Sequence, residues 1–244
     1  MSGWAFVMTN CFVAVDRFIS EDGPAIRAAG FVLRDLAHFH GVPHTSVLLV
    51  PVRVLGSNAV EILVYRRPSD KQVSPDTWDT FGGHVEVSIQ NGKLGPPADR
   101  IEDRNVLYQM INNTAVREAN EEIVIPDFAW TEEHLHRFGG YGDFECGTDT
   151  PGADNVEYST LFVAVIPSHA PSISAQDTVG KGGIEVEVSN LKLRSVDLDT
   201  LLGEYKKEPA EFADDIGRIL QQLLKAPGTR RSFERFLSSV AKSI

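Results

Sequence analysis

The densest chemistry in this chain lies in six consecutive residues, Arg117 to Glu122 (REANEE). Glu118, Glu121 and Glu122 stand at i, i+3 and i+4. A helix of 3.6 residues per turn therefore puts all three carboxylates on one face. Like charges at that spacing weaken a helix by roughly 0.2–0.5 kcal/mol per pair. A hard divalent cation held by carboxylate oxygens offsets that repulsion. Arg117 is placed to fix the carboxylates through charge-assisted hydrogen bonds. Upstream lies Gly82-Gly83-His84-Val85-Glu86. Adjacent glycines let a backbone approach a ligand or fold tightly against the helix, and His84 within this loop is a candidate to meet that ligand. Arg66 and Arg67 end a strand near the loop and could meet a phosphate. Strand alternation sends them to opposite faces, so at most one points inward.

These residues need elements to position them. Ala5–Asp16, Ser46–Leu55 and Val60–Arg66 are rich in β-branched and aromatic residues and read as strands, with Gly56-Ser57-Asn58 as a hairpin turn between the last two. Ser20 to Pro24 offers a helix start, and Ile26, Ala29, Phe31, Val32, Leu36 and Phe39 follow at roughly helical spacing, so a helix is expected there. Residues 101–123 contain no Gly or Pro and read as a long helix. Glu132–Tyr141, Val156–Pro167 and Gly183–Leu193 read as strands, and 195–202 as a loop entering helical turns. Glu211–Lys225 reads as an amphipathic helix, broken by Gly228 before a final helix over Ser232–Ile244. Strands and helices mix without regular βαβ alternation, so the expected class is α+β or an α/β/α sandwich with a mixed sheet.

The chain has 244 residues, suited to one domain with additions. Its 34 acidic against 23 basic residues give a formal charge of −11. So negative a surface argues against a nucleic-acid polymer or an anionic membrane as partner. A small phosphorylated ligand stays compatible, because a bound cation inverts the local field. Cys11 and Cys146 form no metal framework and read as free thiols of a reducing compartment. Without a basic leader or a run of about 18 apolar residues, the expected location is cytoplasmic.

The glycine loop and the REANEE element together resemble the Nudix hydrolases. Their signature is a Gly, five residues, Glu, seven residues, then Arg-Glu-apolar-x-Glu-Glu-x-Gly-apolar, forming a loop–helix–loop. Gly83 matches the opening glycine, and Arg117, Glu118, Ala119, Glu121 and Glu122 match the second half. Val60–Arg67 and Trp78–His84 resemble the family's strand and approach loop. The resemblance covers residues 46–225 of a single domain 1–244. It leaves an N-terminal strand and helix (1–45) and a C-terminal helix (226–244) as additions. It implies a Nudix-like α/β/α sandwich, with Mg²⁺ or Mn²⁺ held by Glu118, Glu121 and Glu122 against a small-molecule diphosphate substrate. In some relatives a further metal-binding glutamate stands where Glu157 opens its strand. By the same resemblance Arg117 orients a glutamate, Glu121 or Glu122 acts on water, and Arg66, Gly83 and His84 are the candidates to bind substrate. The base stays open between those two glutamates and a residue of a later strand or loop. The N-terminal strand and helix either cover the sheet or form a homodimer contact.

Three departures stand out. Gly83 and Arg117 are 34 positions apart, where the family has fourteen, so about 20 residues (about 88–107) are inserted, expected as a surface excursion. The glutamate expected before the arginine is Gln109, leaving Glu86, Glu102 and Asp103 as substitutes, and the late glycine is Ile123. Two other readings follow. The Trp78–His84 loop with Glu157 also resembles isopentenyl-diphosphate isomerases, but their cysteine before Gly-His is Gly82 here. A non-catalytic nucleotide sensor is the other. Trp78 and Phe81 read as packing aromatics, and His38, His40 and His44 as ordinary surface histidines.

Overall fold

The computed structural model describes residues 10–20, 23–55, 59–71, 73–90, 93–95, 98–147, 155–170, 172–181 and 184–242. Strands β1 (Asn10–Ser20) and β2 (Gly23–Leu33) form an antiparallel hairpin, followed by the short helix α1 (Arg34–His40). Then come β3 (His44–Val54), β4 (Val60–Arg66), β5 (Trp78–Asp79), β6 (Phe81–His84), β7 (Glu86–Gln90) and β8 (Lys93–Leu94). Helix α2 (Arg104–Glu122) runs into β9 (Ile123–Val124), and β10 (Leu135–Phe138), β11 (Phe144–Gly147) and β12 (Val156–Ile166) follow. The chain continues through β13 (Ser174–Lys181), β14 (Ile184–Leu191), β15 (Leu193–Val196), α3 (Leu198–Lys207), α4 (Asp214–Lys225) and α5 (Pro227–Lys242). No helix among the described residues is long and apolar enough to cross a membrane.

The sheet is mixed. Strands β3 and β12 lie parallel, Glu157 opposite His44 through Ile166 opposite Arg53, while β4, β6 and β1 pair with β3 antiparallel. Both parallel strands are buried on two faces and so are apolar almost throughout (VLLVPV and LFVAVI), as interior strands must be. Val47, Leu49, Leu63, Tyr65 and Phe162 pack under α2 on one face. Leu48, Val50, Val64, Leu161 and Val163 pack under α3, α4 and α5 on the other. The result is an α+β fold arranged as an α/β/α sandwich, as expected.

Several local expectations are corrected. The helix expected after Ser20 is instead β2, with only α1 helical. Ile26, Phe31 and Val32 suit either period, and ten backbone pairings with β1 decide for strand, helped by Gly30 at φ 148°, outside helical space. The insertion forms the β7–β8 hairpin and a 3₁₀ turn (Ala98–Arg100), and β7 pairs with β1 at Asn10–Ser88, Cys11–Val87 and Phe12–Glu86. Strand β13 was not expected. Gly228 does not break a helix; it lies in the first turn of α5, behind Pro227. Cys11 is a buried free thiol, whereas the expected state of Cys146 concerns a side chain outside the described residues.

One buried ion pair anchors the approach to the glycine strand. Arg67 at the end of β4 donates to Asp79 of β5 at 2.5 Å, and Asp79, 1% exposed, also accepts from the Thr80 amide at 2.8 Å. Arg67→Met strands that carboxylate, and a loss of about 3–5 kcal/mol is expected in urea unfolding. Arg67→Met combined with Asp79→Leu should recover much of it. A single variant as stable as the parent would show that the pair does not anchor this region.

Candidate active site

Helix α2 buries Leu107, Met110, Ile111, Thr114, Ala115, Glu118 and Ala119, a stripe with helical spacing. Glu118 thus occupies a core-facing place at the end of an apolar stripe. Asp103 caps the helix, accepting from the Asn105 amide at 2.9 Å, and so is committed to the helix start. The stripe ends over β6. A β-carbon on Gly83 would collide with the Glu118 carboxylate, and one on Gly82 (φ 146°) with the Val47 carbonyl. Each glycine is required for its own reason, one by the helix and one by the sheet.

The carboxylates are individually held. Arg117 donates to Glu118 at 2.5 Å and to Glu121 at 2.9 Å, with a longer contact to the His84 carbonyl at 3.4 Å. Glu122 accepts the Gly82 amide at 2.9 Å. Burial pushes the Glu118 carboxyl up to about 7, against the pull of Arg117 and with the push of Glu121 and Glu86. Burial and then the Glu118 charge raise Glu122 well above the usual carboxylate range. Of the three substitutes for the missing glutamate, Glu86 is the one whose charge reaches both Arg117 and Glu118. Gln109 itself turns to Asn113 and Glu132, at 2.9 and 3.0 Å. Ile123 needs no glycine: at φ −111° it leaves the helix straight into β9, which pairs with β13.

This donor set suits a hard divalent cation: oxygen ligands only, two of them raised first by burial and then by neighbouring carboxylates, with one guanidinium set against three glutamates. Glu118 and Glu122 flank the glycine strand, while Glu121 is solvent-facing beside Arg117.

Two expected site residues lie elsewhere. Arg66 follows Ile62 and Val64 onto the α3–α5 face, where it pairs with Asp76 (2.9 Å) and Glu211 (2.8 Å) beside the Trp78 ring. Glu157 also faces away from α2. Strand alternation puts it with Leu161 and Val163, and its carboxylate meets His84 Nε2 at 3.1 Å. Although burial alone would raise Glu157, the His84 charge and hydrogen bonds from both histidines hold it well below the usual range. His84 belongs to this second cluster by its side chain and to the glycine strand by its backbone. His44, expected at the surface, is fully buried.

Sequence reasoning missed Asp177 and Lys71. Asp177 on β13 accepts from the Tyr65 hydroxyl at 3.2 Å and pairs with Lys71 at 2.9 Å. Both charges act on Glu122, Asp177 raising its carboxyl and Lys71 lowering it. No spacing in the sequence signals either residue, because the strand carrying Asp177 was not legible.

Comparison with known proteins gives structural likenesses only. No protein-family model matches the chain, and no curated protein sequence does. A Nudix hydrolase from Alicyclobacillus acidocaldarius aligns at 14% identity over 75% of this chain and 91% of its own, with a TM-score of 0.43. The MutT protein of Methanosarcina mazei aligns at 12% identity over 76% and 96%, TM-score 0.41. The C. elegans Ap4A hydrolase aligns at 16% identity over 79% and 97%, TM-score 0.36. At these identities, the chain is similar in structure to Nudix hydrolases.

Proposed function

We propose that this protein is a Nudix-type pyrophosphohydrolase. On this reading it cleaves, with Mg²⁺ or Mn²⁺, a diphosphate bond in a nucleoside diphosphate linked to another moiety. The observation that carries this is the seating of Glu118 and Glu122 against the Gly82-Gly83 backbone, with Arg117 clamping Glu118 and Glu121. Glu118, Glu121 and Glu122 would hold the cation, which when bound neutralises diphosphate charge and activates water.

The chain's own residues do the rest. Arg117 fixes two carboxylates in place, so that they need not reorganise when ligand arrives. The Gly82 amide orients Glu122. Of the two glutamates open as base, Glu122 has its proton affinity raised by burial and by the Glu118 charge, which suits it to accept a proton from water. Gly83, having no β-carbon, lets the Glu118 carboxylate seat directly against the strand backbone.

Three outcomes test the reading. Nucleotide sugars, dinucleoside polyphosphates and nucleoside triphosphates, each supplied with Mg²⁺, should yield phosphate-bond cleavage of at least one class. No turnover across the panel with cation bound would remove the proposal. Glu122→Gln should cut turnover by roughly 100-fold or more while the melting temperature barely moves.

Proton linkage gives the third. The folded Glu118 carboxyl keeps its proton up to about pH 7, whereas the unfolded chain releases it near the ordinary value of about 4.3. The folded state therefore binds more protons in between. Stability from this group is full below about pH 4 and is lost as pH rises through about 7, a contribution of about 3 kcal/mol. Cation-free protein should melt higher at pH 5 than its Glu118→Gln variant's trend implies, and Mg²⁺ should raise the melting temperature more at pH 8 than at pH 5. Equal Mg²⁺ effects at both would contradict a cation on Glu118.

A further inference from the structure

A pocket of about 140 Å³ opens at the β10 margin of the sheet, lined by Asn112, Glu132, Leu135, Arg137, Tyr141 and Phe162. It lies on the other flank of α2 from the proposed cation site. Glu118 meets β6, whereas Asn112 meets Tyr141 just after β10, and strands β12 and β3 stand between β10 and β6. At 3.6 residues per turn, Asn112 and Glu118 point about 120° apart around the helix. Leu135 and Arg137 are two apart on β10 and share its α2 face, and Phe162 of β12 stands opposite Arg137. Leu135 and Phe162 thus give the pocket an apolar floor.

The walls are held before any ligand arrives. Tyr141 stacks on Tyr108 at 3.7 Å with planes 11° apart, and the Arg137 guanidinium lies 4.0 Å from the same Tyr141 ring centre. Two groups that close to one centre occupy opposite faces, so the ring is clamped between them. The Tyr141 hydroxyl donates to Asn112 Oδ1 at 3.3 Å, and Glu132 accepts from Gln109 at 3.0 Å. Binding capacity is left over on the rim. Among the described residues no carboxylate pairs with Arg137, and nothing accepts from the Asn112 side-chain amide. Glu132 has oxygen lone pairs beyond the one that Gln109 uses.

We propose that this pocket binds a free α-amino acid with an apolar side chain. Arg137 and the Asn112 amide match its carboxylate, Glu132 matches its ammonium, and Leu135 and Phe162 match its side chain. A simple anion meets repulsion from Glu132 and a simple cation from Arg137, so the two together select a zwitterion. The volume falls well below the roughly 300–1,000 Å³ of sites for drug-sized ligands; it suits an amino acid and excludes a nucleotide. Glu132 belongs to a segment tied twice to α2. Gln109 holds Glu132 itself, and Asn120, next to Glu121, bonds the Trp130 carbonyl at 3.0 Å and its amide at 2.9 Å. An occupant therefore braces the helix that carries the proposed cation ligands.

Calorimetric titration of the full-length protein with L-leucine, L-methionine and L-phenylalanine tests this. At least one should bind saturably, with one equivalent per chain. The counterparts of that amino acid lacking the carboxylate or the ammonium (isoamylamine and isocaproate for leucine) should each bind about tenfold more weakly or worse. Arg137→Gln and Glu132→Gln should weaken the amino acid to a similar extent, while Glu122→Gln binds it as the parent does. Both rim side chains are exposed, and circular dichroism verifies that their variants fold; the ligand series decides without them if one does not. No saturable binding of any of the three amino acids would overturn the proposal. So would a carboxylate lacking the ammonium that binds as tightly as the amino acid, or binding indifferent to both rim substitutions. Every readout is taken without substrate, so this proposal and the assigned hydrolysis can fail separately.

Discussion

Glu118 stands where the pattern of α2 calls for an apolar side chain, and a carboxylate in that position is tolerated only because its surroundings answer it. Arg117 supplies a guanidinium on the solvent side, and Gly83 withdraws its side chain on the sheet side. Neither neutralises the charge fully, since the carboxyl stays raised to about 7. The helix therefore carries a desolvated, incompletely compensated carboxyl at the point where it meets the glycine strand. The placement of β6, the pairing that aligns it with β3, and the capping that sets the phase of α2 all serve that junction.

The central sheet sorts chemistry by face. Along β3, β6 and β12 the odd and even positions alternate between two cores, and acidic and imidazole groups are divided accordingly. Gly83 and His84 are neighbours in sequence yet address opposite layers. Strand β6 is thus the one element shared by the glutamates of α2 and the histidine cluster, and a shift in it would be felt by both.

Legibility followed periodicity. Strands β3 and β4 and helix α2 were readable because long runs matched a single period, and the REANEE spacing survived folding as one helical turn. The β1–β2 hairpin was not readable: Ile26, Phe31 and Val32 fit a helix equally well, and long-range pairing made the choice. Facing was the second limit. Whether Arg66 or Arg67 turns toward α2, and whether Glu157 meets glutamates or histidines, depends on strand register, which no local pattern contains. The same limit hid His44, whose burial follows from its place opposite Glu157. Glu86 could be named as a candidate but not selected, because its approach to Arg117 depends on how the inserted hairpin packs.

Strand β1 of the N-terminal hairpin and strand β7 ahead of α2 are separated by more than sixty residues, yet they pair. Each conceals the other's open row of amides and carbonyls, the kind of edge that invites foreign strands. They are better regarded as one appendage written in two places. A relative lacking only one of them would have to shield the orphaned margin by other means, so their presence or absence should travel together through descent.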